Sequence, residues 1–214
     1  MPRVARRLAP LLLAAPVLAM TAGGWAVATV DSLPDHLVAS RPTEISFAVR
    51  QHGFTPLDGL RPVIEATSGA TRARFEATAS GVPGRYRASV VPPAAGEWTL
   101  VLRHGFGNGS VTLPPIEAVR AGAAPTALTT AERGGRLFVA KGCVTCHVDI
   151  QVGPNLTGRR YDAAWLARFL ADPEGVRPAP AGKTKMPTLG LDAREIASLV
   201  AFVNGGQVAS QPVK

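Results

Sequence analysis

Hydrophobic residues in the first half of the chain fall in short runs that alternate with polar residues or stay apolar throughout. These runs are rich in Val, Thr, Phe and Tyr, which favour the pleated backbone of a β-strand. Six of them are predicted as strands: Trp25–Val30, Glu44–Arg50, Val63–Ala66, Arg72–Thr78, Gly84–Val91 and Glu97–Arg103. No long amphipathic helix interrupts them, so we expect this half to be all-β.

Turn-forming residues separate these runs in four clusters, which are Pro56–Gly59, Ser68–Gly69, Val82–Gly84 and Pro92–Gly96. About seven short strands over this length are typical of an immunoglobulin-like β-sandwich. The predicted sandwich spans residues 23–118 and contains no cysteine.

A linker and a helix follow the sandwich. Residues 119–128 include Gly122-Ala123-Ala124-Pro125 and are predicted to form a flexible linker. Thr129 or Thr130 can cap a helix that runs to about Gly142. The change from strand spacing to helix spacing marks the boundary between two domains.

Two further helices are predicted downstream. Asp162 starts the first, which ends before the Pro/Gly-rich loop Pro173–Lys185 because a residue that precedes proline avoids helical backbone. Asp192 and Glu195 form a capping box that starts the second, which ends at Gly205. The apolar faces are Trp165, Leu166, Phe169 and Leu170 in the first helix and Ile196, Leu199, Val200 and Val203 in the second. The second domain is therefore predicted to be all-α.

The candidate chemistry is concentrated in Cys143-Val144-Thr145-Cys146-His147, which has the C-x-x-C-H spacing of c-type haem attachment. Two thiols three positions apart lie on one helical turn, where each can form a thioether with a vinyl group of the porphyrin. The histidine that follows can then bind the iron as proximal ligand. The sequence predicts one haem c, attached through Cys143 and Cys146 and ligated by His147.

Other uses of the two cysteines fit less well. A structural zinc site takes four protein ligands, but Cys143 and Cys146 are the only cysteines and no second histidine pair accompanies them. A thioredoxin-like C-x-x-C motif follows a strand, whereas this one follows a predicted helix. A disulfide across two intervening residues remains an alternative.

The sixth iron ligand is predicted to be Met186. The chain has three methionines, and Met1 and Met20 fall in the N-terminal segment. Met186 precedes Pro187 in a loop, where a thioether serves as a soft axial ligand that favours ferrous iron. The alternative is a methionine that fills a gap in the core.

Residues 129–206 resemble class I cytochromes c. Gly134-Gly135-Arg136-Leu137-Phe138 corresponds to the glycine and aromatic residue of the first helix of that family, Gly153-Pro154-Asn155-Leu156 to its G-P-x-L segment, and Met186-Pro187 to its ligand loop. The resemblance implies a cytochrome c fold, with the carbonyl of Pro154 accepting a hydrogen bond from His147 and with Leu156 at the haem. It leaves the choice between Gly134 and Gly135 open.

Arg159 and Arg160 follow this segment. A guanidinium at this position could pair with a haem propionate, and Arg159 is predicted to do so. The alternative is a solvated surface pair.

The N-terminus has the pattern of an export signal. Arg3, Arg6 and Arg7 precede an apolar run from Leu8 to about Met20. This run is too short to span a bilayer comfortably. Residues 1–22 are therefore predicted as a signal peptide, and residues 207–214 as a flexible tail.

Cleavage is expected near Ala22, although Ala26-Val27-Ala28 offers a second A-x-A site. An uncleaved segment would instead associate the protein with the membrane. The resemblance implies haem attachment outside the bacterial cytoplasmic membrane, so we expect a location in the periplasm or on the outer face of that membrane.

The first domain resembles YtkA-like domains, which are extracytoplasmic sandwiches. The matching segments are Phe47–Gly53, Leu57–Leu60, Gly84–Arg87 and Gly96–Trp98. Some related sandwiches bind copper, and His36, His52 and His104 are candidate ligands of a weak site. The region has no methionine or cysteine for copper(I), so we favour satisfied or exposed histidines.

The positive charge lies mostly on the second domain, since residues 127–214 carry eleven basic and seven acidic side chains and residues 23–126 carry nine and eight. Such a face can steer docking onto acidic faces of redox partners. Nucleic-acid binding is not expected, because the basic residues are not interleaved with exposed aromatics.

The sequence therefore predicts an exported carrier of single electrons that is not itself an enzyme. One alternative is an electron-relay subunit of a membrane or periplasmic redox complex. Another is a redox or gas sensor in which Met186 leaves the iron. A bacterial c-type peroxidase is disfavoured, since such peroxidases use two haems and this chain has one C-x-x-C-H motif.

Overall fold

The computed structural model describes residues 24–206, so the predicted signal peptide 1–22 and tail 207–214 lie outside the described residues. The strands are β1 Ala26–Val30, β2 Leu37–Val38, β3 Thr43–Gln51, β4 Thr55–Pro56, β5 Val63–Ser68, β6 Thr71–Glu76, β7 Thr78–Ala79, β8 Arg85–Val90, β9 Gly96–Arg103, β10 Ser110–Thr112 and β11 Ile116–Val119. The helices are α1 Thr130–Ala140, α2 Ala163–Ala171, α3 Pro173–Val176 and α4 Ala193–Asn204, and a π-helical turn spans Thr145–Asp149.

The strands form two sheets. One has the order β1-β3-β8-β7, with β4 also paired to β3, and the other has the order β2-β11-β9-β5-β6, with β10 also paired to β9. All pairs are antiparallel except β11 with β2. The prediction of a β-sandwich followed by an all-α domain is confirmed. The sequence missed β2, β4, β10 and β11, because strands of two to four residues carry little periodic signal. The predicted strand Arg72–Thr78 is divided between β6 and β7.

Large side chains from both sheets fill the sandwich core. Phe47 and Tyr86 stack with ring centroids 5.9 Å apart, and Trp98 from the opposite sheet is buried. The Tyr86 hydroxyl donates a hydrogen bond of 2.6 Å to the carbonyl of Leu57, which ties the β4–β5 connection to β8. The alternation of the strand residues places these side chains inside.

The connection between the domains is shorter than predicted. Val119 belongs to β11, where it pairs with Val38, so the irregular segment begins at residue 120. The amide of Thr126 donates a hydrogen bond of 2.7 Å to the Glu117 carboxylate. The segment is therefore tied back onto the last strand of the sandwich.

The helix caps form where local sequence places them. Thr129 caps α1 in a reciprocal capping box with Glu132, Asp162 caps α2, and Asp192 forms a capping box with Glu195 at α4. The predicted loop Pro173–Lys185 contains the short helix α3. This helix forms because the Asp172 side chain accepts the amide of Gly175 and Pro173 occupies its first turn.

Helices α1 and α4 cross closely at Gly134. A Cβ atom at this position would overlap the carbonyl oxygen of Ser198 and lie 2.6 Å from Cβ of Phe202. A Cβ at Gly135 would lie 3.1 Å from the ring edge of Phe202. Gly134 is therefore the residue that permits the crossing, which the sequence left undecided.

The two domains contact one another through charged groups. Asp35 of the sandwich accepts hydrogen bonds of 3.0 Å from Arg133 and from Arg194, and its carbonyl accepts one of 2.9 Å from Arg136. We call these four residues the arginine clamp. No helix within residues 24–206 is long and apolar enough to cross a membrane.

Candidate haem site

The C-x-x-C-H segment lies just beyond the end of α1. Lys141 forms the C-cap, Gly142 has a φ of +78°, and the chain then enters the π-helical turn. A side chain at Gly142 would meet the Val27 side chain of β1. Glycine is therefore required here both for the left-handed backbone and for the close approach of the sandwich.

The two cysteines are free thiols, and both are partly buried. Burial raises the pKa of the Cys143 thiol to about 12 and also raises the pKa of Cys146. Raised pKa values keep both groups in the neutral thiol form at pH 7.

His147 is oriented by the segment that follows it. Its Nδ1 lies 2.8 Å from the carbonyl oxygen of Pro154, and a carbonyl can only accept, so Nδ1 carries the proton. Nε2 is left as the nitrogen with a free lone pair for a metal. Burial lowers the pKa of His147, against an opposing effect of the Pro154 hydrogen bond, so the imidazole stays neutral as a ligand must.

Gly153 permits this arrangement. A Cβ at Gly153 would lie 2.8 Å from both Cε1 and Nδ1 of His147, so any side chain would push the ring away. The amide of Gly153 also donates a hydrogen bond of 2.9 Å to the Cys146 carbonyl, which folds the segment back onto the motif.

A mostly apolar cavity of about 380 Å³ opens beside the motif. Cys143, Cys146, His147 and Met186 all line it, although Met186 is 39 residues beyond His147 in the chain. Pro154 and Leu156 line it as well. The structure thus brings six of the seven predicted site residues to one cavity.

Aromatic residues of α2 and the segment before it form one side of this cavity. Tyr161 and Trp165 stack with centroids 5.8 Å apart, and Trp165 and Phe169 stack at 5.2 Å. The side chain of Asn204 accepts the Tyr161 amide at 2.9 Å and donates to its carbonyl at 3.0 Å. This pair of hydrogen bonds fixes the stack against the end of α4.

Arg159, the seventh predicted residue, does not line the cavity. It is exposed, and its Nε donates a hydrogen bond of 2.8 Å to the carbonyl of Asn155. The lining contains Arg177 and Lys185 instead, and Lys185 pairs with Glu174 at 2.9 Å. The sequence missed these two cations because they lie in the irregular segment, which carries no motif.

Two of the three sandwich histidines, His52 and His104, have different surroundings. The ring of His52 packs edge-on against Trp25, with centroids 5.3 Å apart. Nδ1 of His104, which is buried, accepts the amide of Phe106 at 3.3 Å, and burial lowers its pKa. In the described part of the chain, no three His, Cys, Asp or Glu residues cluster as metal ligands. The candidate copper set of His36, His52 and His104 therefore has no geometric support.

Residues of the sandwich also line the cavity, which the sequence did not predict. Val27 and Thr29 of β1 and Gly53 of the β3–β4 turn belong to its lining. No local pattern marks a strand residue as part of a site in another domain.

The residues present fit a c-type haem. Two free thiols, a histidine with its Nε2 available and a thioether all face one apolar cavity, whose volume lies in the range of about 300–1,000 Å³ usual for cofactor sites. His147 and Met186 would bind the iron, and Cys143 and Cys146 would form the covalent bonds.

Comparison with known proteins bears on the second domain. Residues 129–203 match the family model described as cytochrome c oxidase, cbb3-type, subunit III. The match supports a C-terminal cytochrome c domain, which is a haem-binding electron-transfer domain. No curated protein matches the chain.

Among solved structures, a protein described as a candidate glycoside hydrolase from Bacteroides vulgatus is 23% identical over 42% of this chain, with a TM-score of 0.34. The aligned region spans 17% of that structure, and a similarity at this level supports no statement about fold or function.

Proposed function

We propose that this protein is an exported carrier of single electrons with one haem c, attached through Cys143 and Cys146 and ligated by His147 and Met186. The observation that carries the proposal is the convergence of these four side chains on one apolar cavity, with Nδ1 of His147 held by the Pro154 carbonyl. The bound haem would supply a reversible one-electron iron couple.

The protein residues would tune this couple. The hydrogen bond from His147 to Pro154 fixes the imidazole plane and makes Nε2 a stronger ligand for iron. The thioether of Met186 favours the ferrous state and raises the reduction potential. The stack of Tyr161, Trp165 and Phe169 keeps water from one side of the cavity. No acid–base step is required of any side chain.

The propionates of the haem need cationic or polar partners. Arg177 and Lys185 are the better candidates, since they line the cavity while Arg159 is bonded to Asn155 outside it. Substitution of Arg177 by Gln would then change the reduction potential, whereas Arg159→Gln would leave it unchanged.

The partners are proposed to be redox proteins with acidic docking faces, because the basic excess lies on the haem-binding half. The location is proposed to be the periplasm or the outer face of the cytoplasmic membrane, with a membrane anchor if the N-terminal segment is retained. The resemblance of the first domain to YtkA-like sandwiches supports an extracytoplasmic location.

A second candidate function is electron relay within a membrane or periplasmic redox complex. The description of the matched family, which names a subunit of a cbb3-type oxidase, favours this alternative. Co-purification of the full chain with a complex would distinguish the relay subunit from a freely diffusing carrier.

The experiment that tests the proposal is an absorption spectrum of the exported full-length protein, oxidised and reduced. We expect a covalently bound, low-spin haem with the sulfur-to-iron band in the near infrared. Met186→Leu should abolish that band, because it keeps an apolar side chain but removes the sulfur. The matched control, Leu189→Ala, alters a lining residue of the same loop and should keep the band.

Two outcomes would contradict the proposal. A protein that carries no covalent haem would return Cys143 and Cys146 to disulfide or metal chemistry. A high-spin haem that binds carbon monoxide in the wild type would indicate an open sixth position and favour a sensor.

A further inference from the structure

Strand β1 is buried on both of its faces. Ala28 and Val30 belong to the sandwich core, while Val27 and Thr29, which point the opposite way, line the haem cavity. Val27 is 6% exposed and Thr29 is 7% exposed. Within the described residues β1 pairs with β3 alone, and the helical domain packs on the face of β1 that carries Val27 and Thr29.

The contact surface of the sandwich extends from the haem-attachment motif to the Met186 loop. At one end, the Val27 side chain packs where a Cβ of Gly142 would lie, next to Cys143. At the other end is Gly53, which has a φ of +82°. A Cβ atom added at Gly53 would lie 3.8 Å from Cγ of Pro187, the residue next to Met186. We call the residues Val27, Thr29 and Gly53 the sandwich wall.

The arginine clamp holds this wall against the helical domain. Nε and one terminal nitrogen of Arg133 both approach the Asp35 carboxylate, with distances of 3.0 Å to its two oxygens, while Arg194 binds the same carboxylate from α4. The Arg133 hydrogen bond lowers the pKa of Asp35, so the carboxylate is charged at pH 7. Charge-assisted bidentate bonds of this kind are among the stronger hydrogen bonds in proteins.

A buried lysine adds a second connection. Nζ of Lys141 donates a hydrogen bond of 2.6 Å to the carbonyl of Asp31, at the end of β1, and pairs with Glu195 at 2.8 Å. The Lys141 side chain is 3% exposed. One cation thus joins the end of α1, the start of α4 and the sandwich.

We propose that the sandwich is a structural part of the haem site: its wall closes one side of the cavity from Cys143 to Met186, and the arginine clamp keeps that side closed. The inference rests on the proposed function, since it concerns access to the iron and the retention of Met186. It assigns the sandwich a positioning role that a tethered accessory domain would not have.

The expected consequence is that a change remote from the haem alters the Met186 side of the cavity. When the clamp is weakened, the wall can separate from Gly142 and Pro187, water enters, and the Met186 loop loses a packing partner. The free energy that holds Met186 on the iron then falls, so an external ligand competes more effectively for the sixth position.

The test uses Asp35→Ala in the full-length haem protein, with Glu65→Ala as matched control. Glu65 also binds two arginines, Arg103 at 2.8 Å and Arg74 at 3.8 Å, but these belong to the sandwich itself. The two carboxyl side chains are equally exposed, at 35% for Asp35 and 34% for Glu65. Both variants remove one carboxylate from a pair of arginines, but only one of them lies between the domains.

The first measurement is the rate at which imidazole displaces the native sixth ligand of the oxidised protein, followed by the absorption spectrum. We expect Asp35→Ala to raise this rate several-fold and Glu65→Ala to leave it within the error of the wild type. Val27→Ala, a milder change in the wall itself, should raise the rate in the same direction and serves if Asp35→Ala fails to fold.

The second measurement is hydrogen–deuterium exchange of the segment 183–190, which does not require bound haem. Faster exchange in Asp35→Ala than in Glu65→Ala would support the proposed role of the sandwich wall, whether or not the haem is attached. Equal exchange and equal imidazole rates in all proteins would overturn the inference. The native spectrum of the wild type reports separately on the proposed function.

Discussion

The close crossing of α1 and α4 can be tested with two adjacent glycines in the same helix. Gly134→Ala and Gly135→Ala introduce the same methyl group and remove the same backbone freedom. Each gains about 1 kcal/mol of helix propensity, so this contribution cancels in the comparison. What remains is the difference in what the new Cβ atom meets.

That difference should be large. The Cβ of Ala at 134 would overlap the Ser198 carbonyl, a backbone atom that moves only if α4 moves, and would also lie 2.6 Å from Cβ of Phe202. The Cβ at 135 would lie 3.1 Å from a carbon at the edge of the Phe202 ring, which can shift by a few tenths of an ångström. Overpacking of a tight contact costs about 1–3 kcal/mol. We therefore expect Gly134→Ala to be less stable than Gly135→Ala by about 1–3 kcal/mol.

The assay is thermal unfolding followed at the Soret band, which reports on the haem site. A difference of 1 kcal/mol corresponds to about 4–8 °C in Tm for a domain of this size, so the two variants should be clearly resolved. Gly135→Ala should unfold near or above the wild-type temperature. Equal Tm values for the two variants, or a lower value for Gly135→Ala, would refute the close contact at Gly134.

Three further predictions follow from the buried and charged groups. Lys141→Met should destabilise the protein by about 3–5 kcal/mol in denaturant unfolding, because it leaves the Glu195 carboxylate without its buried partner. The double variant Lys141→Met/Glu195→Gln should be more stable than Lys141→Met alone, because it also removes the unpaired charge. The pKa of Asp35 is depressed in the folded state, so the Asp35 carboxylate stabilises the fold above its unfolded pKa of about 4. This stabilisation is lost as the pH falls through the pKa of Asp35 in the folded protein. Asp35→Asn should therefore flatten the decline of Tm below pH 4, and an unchanged decline would count against the arginine clamp. Burial lowers the pKa of His104, so the sandwich should lose stability as the pH falls below about 6.5. His104→Asn keeps an acceptor for the Phe106 amide but does not titrate. In circular-dichroism melts, the Tm of this variant should therefore fall less with decreasing pH than the Tm of the wild type.

Local interactions made parts of the fold and site predictable. The caps at Asp162 and Asp192 depend on side chains that bind amides three residues away, and the structure has both. The C-x-x-C-H motif predicts its chemistry because the thiol spacing and the adjacent imidazole are themselves the requirement. Pro173 indicated the end of α2, but the cap supplied by Asp172 starts a short helix, α3, that the composition did not indicate.

Sequence alone determined the order of the domains, the helix starts, the haem motif and Met186 as the one methionine outside the N-terminal segment, because each of these depends on neighbours along the chain. Only the tertiary structure decided that Gly134 permits the helix crossing, that Arg177 faces the cavity in place of Arg159, and that β1 forms a wall of the site. Arg133 and Asp35 are 98 residues apart, and no periodicity relates them. Such contacts depend on how two separately folded surfaces fit, which the spacing of residues within either domain does not encode.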